Sequence, residues 1–355
     1  LIIAAIGSFA ISMLGVPGGM LMGGALAVSI AALSGFPATM PTGLRNVLFV
    51  CVGLSMGANV APDTLQLIGQ WPITLAALAL ELVVIVLVCG IVLRRLFKFD
   101  AGTAYLSSFP GHLSFIMALA STGVGNPRQI VIIQVQRVMF LTLFAPIGAL
   151  FLPVGHYAGA GTELMDLTTL AMVTAGCAFV GWVFTRLKMP AGYVLGSMAF
   201  ATVMKLTGHF DGSLPPILVD LTFVGMGALI GSRFAGMTRA EFMQAALGGT
   251  VATTITVALT TVFALAAGVF VSMPIGQIWL GLSPGGLESM GALGIALGYD
   301  TAFIAAHHVA RLLMLTIAIP LVVMLVKGRQ PLTEPSEPVA RVRFSSERKR
   351  IEAMG

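Results

Sequence analysis

The chain carries two copies of one pattern, and the second copy follows the first by 174 residues. Each copy has a Pro-Gly pair inside a long apolar segment, first at Pro110 and again at Pro284. The same offset relates further pairs of residues: Gly57 and Gly231, Arg137 and Arg311, Pro146 and Pro320. Because proline breaks the helical hydrogen-bond pattern, the duplication predicts two equivalent halves that are interrupted at the same place.

The composition indicates the environment in which these halves fold. Hydrophobic residues make up 57% of the chain and charged residues only 9%, against roughly 25% charged in soluble domains. Apolar runs of ~17–25 residues recur along the chain, each long enough to cross a ~30 Å hydrocarbon layer. We therefore predict an all-α polytopic membrane protein that contacts the lipid bilayer on its outer surface. Its net charge of +5 then reports which loops face the cytosol rather than an affinity for nucleic acid.

Polar segments divide the chain into four parts. They are a first membrane repeat (1–152), a linker (153–166), a second membrane repeat (167–326) and a polar cytosolic tail (327–355). The tail is rich in proline and charge and too polar to pack a core. Each repeat shows six apolar segments, and Asn126 and Asp300 are predicted to cap the last helix of each.

The positive charges predict how many of these segments cross the membrane, because short cytoplasmic loops collect Lys and Arg. If all segments cross, twelve basic loop residues divide seven to five between the two sides. If segments 101–124 and 275–298 instead enter and leave on one side, the division is eleven to one, with Lys205 alone. This favours an inverted repeat of about five transmembrane helices plus one broken or re-entrant hairpin in each half. A geometry in which the broken segment crosses and another does not stays open.

The two hairpin tips are the predicted binding site, because irregular backbone at membrane depth is tolerated where it lines a cavity. The candidate residues are Pro110, Gly111, His112, Ser283, Pro284, Gly285, Gly286 and Ser289. The alternative is that each proline only kinks an ordinary helix. Equivalent Pro-Gly pairs in both halves favour the binding site.

Arg137 and Arg311 each lie about nine residues into a final apolar segment, ~13 Å deep at ~1.5 Å per residue. An arginine there costs at least ~2.5 kcal/mol to insert, so it should face the interior and have a partner. The guanidinium group is suited to holding a carboxylate or a phosphonate. The alternative is a structural role in which each arginine caps backbone carbonyls of the broken helices.

Four further residues are candidates for ion coupling: Glu81, Glu288, His307 and His308. Glu288 could pair with Arg311, bind a coupling cation or take up a proton. Glu81 could be protonated and hydrogen-bonded, or could take part in coupling. Adjacent histidines point in different directions around a helix and do not match a metal site, so no metal or cofactor is predicted.

Three motifs carry a resemblance to a known family. They are Ser-Pro-Gly-Gly-Leu-Glu-Ser-Met (283–290), His-His-Val-Ala-Arg-Leu (307–312) and Leu-x-x-Pro-Ala-Gly-Tyr-x-x-Gly (187–196). Over residues 15–326 the chain resembles the bacterial AbrB-type duplicated membrane family. In the first repeat, His112 replaces the second glycine of the tip and Ser114 replaces the glutamate.

Members of that family are often described as ammonia monooxygenases or as regulators of gene expression. Five scattered histidines do not supply an oxygenase metal site, so we predict no enzyme. We expect a secondary transporter of a small organic anion, coupled to H⁺ or Na⁺, in the bacterial inner membrane, which could form a homodimer. The alternative is a membrane-embedded regulator or sensor that does not transport.

Overall fold

The computed structural model of the chain describes residues 1–60, 64, 68–111, 113–120, 123–149, 164–210, 212 and 214–327. Over these residues the protein consists of fourteen α-helices and one 3₁₀ turn, Ile68–Gln70, with no β-strand. Most of the linker and all of the tail beyond Lys327 lie outside the described residues. The predicted all-helical fold is confirmed.

The helices of the two halves correspond one to one. Those of the first half are α1 (Ile2–Ser12), α2 (Gly19–Leu33), α3 (Thr42–Ala58), α4 (Trp71–Leu96), α5 (Ala101–Ser108), α6 (Leu113–Ala120) and α7 (Pro127–Ala149). Those of the second half are α8 (Leu167–Arg186), α9 (Gly192–Leu206), α10 (Pro216–Ser232), α11 (Arg239–Gly268), α12 (Ile275–Leu282), α13 (Leu287–Ala296) and α14 (Thr301–Lys327). Each helix therefore has its equivalent seven places later.

Both predicted helix caps are present. The Asn126 carboxamide oxygen accepts hydrogen bonds from the backbone N–H groups of Arg128 and Gln129 at the start of α7. A carboxylate oxygen of Asp300 accepts from the backbone N–H of Ala302 at the start of α14. These bonds satisfy N–H groups that lack a partner inside the helix, so they fix where each final helix begins.

One end of the molecule is rich in arginine, and we call it the basic end. Arg239 at the start of α11 donates to the Ser34 hydroxyl after α2, at 3.0 Å. Arg128 at the start of α7 forms an ion pair with Glu241, one turn into α11. Two helix starts and one helix end therefore lie together at this end.

Other contacts define the opposite end. The Lys205 amine, at the end of α9, donates to the Ala58 carbonyl at the end of α3. The Gln70 side chain, just before α4, bonds the Ser272 hydroxyl after α11 at 3.0 Å. Since α2 runs toward the basic end and its equivalent α9 runs away from it, the two halves have opposite orientations. The inverted repeat is confirmed.

The halves are interleaved through glycine-lined contacts. In the first, α2 packs parallel to α10, and a Cβ on Gly227 would lie 2.6 Å from the Leu21 carbonyl oxygen. In the second, α3 packs parallel to α9, and a Cβ on Gly53 would lie 2.4 Å from the Val194 carbonyl oxygen. Small residues let membrane helices approach this closely. Each half therefore supplies the packing surface for the other.

Each broken segment enters and leaves at one end. In the first hairpin, α5–α6, a Cβ on Gly102 would lie 2.7 Å from the Gly125 nitrogen, so the first and last residues are neighbours. In the second, α12–α13, Gly276 lies against the Tyr299 ring in the same way. The first hairpin opens at the basic end and the second at the opposite end. The re-entrant geometry is therefore correct, and the rival in which the broken segment crosses is wrong.

Five described stretches are long and apolar enough to cross a membrane. They are Ile68–Leu96, Pro127–Ala145, Leu167–Arg186, Arg239–Gly268 and Thr301–Leu325. By contrast α2, α3, α9 and α10 have 15 to 17 residues, or ~22–26 Å at ~1.5 Å per residue. The prediction of five crossings per half therefore holds for end-to-end direction but not for uniform length, since these inner helices are a turn or two short. Large apolar side chains are exposed on the outer helices, as suits contact with lipid: Leu80, Phe179, Val262 and Ile317.

Candidate functional site

The last carbonyl before each hairpin tip receives a substitute donor. In a regular helix the Leu106 carbonyl would accept from the backbone N–H of residue 110, but Pro110 has none. The Gln134 side-chain nitrogen of α7 takes its place, at 3.1 Å from the Leu106 oxygen. The second half repeats this arrangement: Nε2 of His308 lies 3.1 Å from the Leu280 oxygen, four residues before the second tip proline. This contact requires His308 to carry a proton on Nε2.

The two buried arginines bond the next carbonyls toward each tip. Nη2 of Arg137 donates to the Phe109 oxygen at 2.8 Å, and Nη1 of Arg311 donates to the Ser283 oxygen at 2.6 Å. Phe109 and Ser283 directly precede the tip prolines and end the first arm of each hairpin. These carbonyls lack helical partners and lie at the negative end of the helix dipole. The arginines therefore have the capping role that the sequence left open as an alternative.

Each arginine also retains a donor with no partner among the described residues. These donors are Nε of Arg137 and Nη2 of Arg311. The two residues are only 4% and 2% exposed, so bulk water does not solvate these groups freely. A buried N–H without an acceptor costs about 1–3 kcal/mol. An anion that accepts from both groups would remove this cost.

Both tips and both arginines line one cavity of about 440 Å³, a size typical of small-molecule sites. Its polar and tip residues are Pro110, Gly111, Gln134, Arg137, Arg233, Pro284, Gly285, Gly286, Glu288, His308 and Arg311. Apolar side chains complete the wall: Leu113, Val131, Val135, Val138, Leu287 and Leu312. Arg233 follows α10 at the basic end, so the cavity extends toward that end.

The charge of the cavity wall is positive. Glu288 pairs with Arg233 at 2.7 Å, so the predicted pairing with Arg311 is wrong. The reason is that the second tip turns the first residues of α13 toward the end of α10, where Arg233 lies. Three guanidinium groups and one carboxylate leave two net positive charges on the wall. An anion is therefore the ligand type that this cavity favours.

Some predicted binding residues do not reach the cavity. The Ser289 hydroxyl is turned back onto the Gly286 carbonyl, at 3.0 Å. The Ser283 side chain is fully buried, and its hydroxyl has no partner among the described residues. His112 lies outside the described residues. The binding role of the tip residues remains a prediction.

Two of the coupling candidates line the cavity and two lie beside it. Glu288 and His308 belong to the wall. His307 instead turns toward α4, where its Nε2 lies 2.7 Å from the Thr74 hydroxyl. Glu81 is fully buried, and one of its oxygens accepts from the Thr260 hydroxyl at 2.5 Å.

Several polar partners were not predicted from the sequence. Gln134 was noted only as the equivalent of His308, although its position 24 residues after Pro110 could have suggested the substitute donor. Arg233 was counted as a loop charge. Thr74 and Thr260 carry no sequence signal, because threonine is common in membrane helices and its partners are distant in the chain.

A second cavity, of about 600 Å³, is different in character. It lies between α7, α11 and α12, and it is walled mostly by apolar side chains such as Phe140, Phe144 and Trp279. Neither a tip proline nor a buried arginine lines it. No group of three metal-ligating side chains occurs within the part of the chain that the structure describes.

These features define an all-helical, membrane-type protein built from an inverted repeat, with two re-entrant hairpins at a basic cavity. The chain belongs to the AbrB family: residues 20–327 match the family described as "Transition state regulatory protein AbrB". It is 23% identical over 336 residues to "Putative regulator AbrB" of Escherichia coli (strain K12), covering 89% of this chain and 92% of that protein. It is also 23% identical over 292 residues to YhjN of Bacillus subtilis (strain 168), covering 76% and 75% respectively.

Proposed function

We propose that the protein is a secondary transporter of a small organic anion, and that the anion binds in the cavity between the two hairpin tips. The observation that carries the proposal is the convergence of both tip prolines and both buried arginines on one cavity. Inverted repeats with broken helices at a central site are the usual architecture of secondary transporters. Alternating access would come from movement of one group of helices against the other.

An anion is favoured over a cation or a neutral ligand by the charge of the wall. Two net positive charges and two unpartnered N–H groups would bind carboxylates or phosphonates, and a dianion best. The fit is to a small molecule, since ligands of this kind occupy cavities of about 300–1,000 Å³. Coupling to H⁺ or Na⁺ would supply the energy for accumulation.

The charge pattern supports an orientation in the membrane. Basic residues collect at the basic end, and Lys205 lies at the other. By the positive-inside rule the basic end faces the cytosol of a bacterial inner membrane, which puts the chain after Lys327 on the cytosolic side. The cavity, which extends toward the basic end, would then be accessible from the cytosol.

The test is uptake of radiolabelled succinate, and of a panel of other small carboxylates and phosphonates, into proteoliposomes. Arg311→Gln removes the charge but keeps an amide donor for the Ser283 carbonyl, so it separates anion binding from helix capping. We expect uptake to fall at least about tenfold, because a close charge pair contributes more than ~1.4 kcal/mol in a partly desolvated site. Arg311→Lys should retain part of the activity.

The matched control is Arg186→Gln. Arg186 is exposed at the end of α8, where it stacks 5.0 Å above the Trp182 ring, away from the cavity. Uptake in this variant should equal that of the natural sequence. Equal uptake in Arg311→Gln would remove the anion-site proposal.

A membrane-embedded regulator is the second candidate, and the description of the family and the name of the E. coli relative favour it. Such a protein would bind an anion saturably without moving it. Removal of residues 328–355 would then abolish the regulatory effect and leave binding intact. A transporter would instead show flux with or without these residues.

A further inference from the structure

We propose that Glu81 is the proton-binding group of this transporter and that Glu81 and the transported anion compete for Arg311. The inference rests on the proposed function and names its coupling ion as H⁺. Transport would then be a symport, in which one proton moves with each anion.

The surroundings of Glu81 suit a group that gains and loses a proton. Its side chain is fully buried in the middle of α4. Oε1 accepts from the Thr260 hydroxyl of α11, whereas Oε2 has no partner among the described residues. A carboxylate that is buried this completely needs a counter-charge, and without one the neutral acid is the stable form.

The counter-charge available to Glu81 is Arg311. The two groups interact through their charges, and Arg311 also lines the anion cavity. Glu81 does not line that cavity. Arg311 therefore stands between the anion and the carboxylate, and both act on the same guanidinium group.

The neighbours of Glu81 on every packed element are few. From α14 it is approached by Arg311 and His307, and from α11 by the hydroxyl groups of Thr256 and Thr260. On α5 the nearest titratable group is the Tyr105 ring, which lies against Gly90, nine residues further along α4. Within the described residues, no other acid competes with Glu81 for the proton.

His307 and Thr74 form a polar route from the opposite end toward this site. Nδ1 of His307 lies 2.9 Å from the Phe303 carbonyl, which requires a proton on Nδ1. The Thr74 hydroxyl lies 2.7 Å from Nε2 of His307 and 3.0 Å from the Trp71 carbonyl. It can donate to neutral His307, or accept from charged His307 while donating to Trp71, without moving a heavy atom. A proton can therefore enter here and pass toward Glu81, about two helical turns deeper than Thr74.

The equivalent positions in the other half are apolar, so the route exists on one side only. His307 corresponds to Ile133, and Glu81 corresponds to Ile255. The cavity extends toward the basic end, while this polar route begins near the opposite end. Proton and anion thus reach Arg311 by different paths.

The coupling follows from charge balance. In the empty protein the Glu81 carboxylate and the Arg311 guanidinium compensate each other. An anion that binds Arg311 takes over that compensation, so Glu81 accepts a proton. When the anion leaves on the other side, Glu81 releases the proton and pairs with Arg311 again. Because linkage is reciprocal, protonation of Glu81 strengthens anion binding by the same factor.

The test is the number of protons taken up when succinate binds to the full-length protein in detergent. Calorimetry in two buffers of different ionisation enthalpy measures this number. We expect about one proton per bound succinate for the natural sequence and none for Glu81→Gln, which mimics the neutral acid. Glu81→Gln should also lose gradient-driven uptake in proteoliposomes and retain succinate–succinate exchange.

Thr254→Val is the matched control, because the exposed Thr254 hydroxyl bonds only the Thr250 carbonyl within α11. This variant should take up the proton as the natural sequence does. Succinate binding without proton uptake by the natural sequence, or unchanged proton uptake in Glu81→Gln, would overturn the inference and leave the transporter proposal intact. If no anion of the panel binds the natural sequence at all, the proposed function fails and this inference fails with it.

Discussion

Nη1 of Arg311 lies 2.6 Å from the carbonyl oxygen of Ser283, the residue directly before the second tip proline. The contact joins the final helix of the second half to the break in its hairpin. It also explains how a buried guanidinium group can stabilise the fold and still serve a ligand. Some of its donors hold the tip, and Nη2 stays without a partner among the described residues.

The substitute donors can be tested by exchanging them between the halves. Since Gln134 does in the first half what His308 does in the second, His308→Gln should keep the bond to the Leu280 carbonyl. We expect this variant to change the free energy of unfolding little. His308→Leu removes the donor and should destabilise the protein by about 1–3 kcal/mol, since it leaves a buried carbonyl unsatisfied. Thermal unfolding in detergent measures both, and equal stability of the two variants would contradict this role.

The interleaved packing predicts a large cost for a small substitution. A methyl group on Gly227 would lie 2.6 Å from the Leu21 carbonyl oxygen, so Gly227→Ala must push α10 away from α2. We expect a loss of about 1–3 kcal/mol, as for other overpacked sites. Gly43→Ala is the control, because nothing lies within 4 Å of its added methyl group. A melting temperature that falls equally in both would rule out close packing as the cause.

The ion pair at the cavity predicts opposite effects of its two members. Glu288→Gln removes the only carboxylate that lines the cavity among the described residues, so anion affinity should rise several-fold. Arg233→Gln removes one of three guanidinium groups, so anion affinity should fall several-fold; both changes correspond to about 1 kcal/mol in a half-exposed pair. Titration of succinate by calorimetry checks both. Affinities that move in the same direction would show that the pair acts through structure and not through charge.

The orientation can be read from labelling of single cysteines in a background without Cys51, Cys89 and Cys177. Ser34→Cys lies at the basic end beside Arg239, and Ser272→Cys lies at the opposite end beside Gln70. In intact cells an impermeant maleimide should label position 272 and not position 34. In inside-out vesicles the pattern should reverse. The reverse result would invert the proposed topology.

The architecture could be predicted from sequence because it depends on patterns that survive duplication. The equivalence of Pro110 and Pro284 located both breaks, and the loop charges indicated that each broken segment returns to its own end. Side-chain partners could not be predicted in the same way. Whether Glu288 meets Arg311 or Arg233 depends on the direction in which a tip turns, and one residue pattern is compatible with both.

The roles of the polar residues divide along the same line. Arg137 and Arg311 were found from the cost of charge in an apolar segment, which any sequence shows. The contacts of Glu81 with Thr260, and of His307 with Thr74, join helices 179 and 233 residues apart. Such contacts depend on how the helices rotate against each other, and helices that are apolar on all sides carry little periodic signal for that rotation.

The most direct test of the central claim is the position of a bound anion. Bromosuccinate carries a heavy atom whose anomalous scattering locates it in crystals of the protein. The account predicts a bromine peak in the cavity between Pro110 and Pro284, with a carboxylate within hydrogen-bond distance of Arg137 or Arg311. A fully occupied peak elsewhere, with this cavity holding only water, would contradict it.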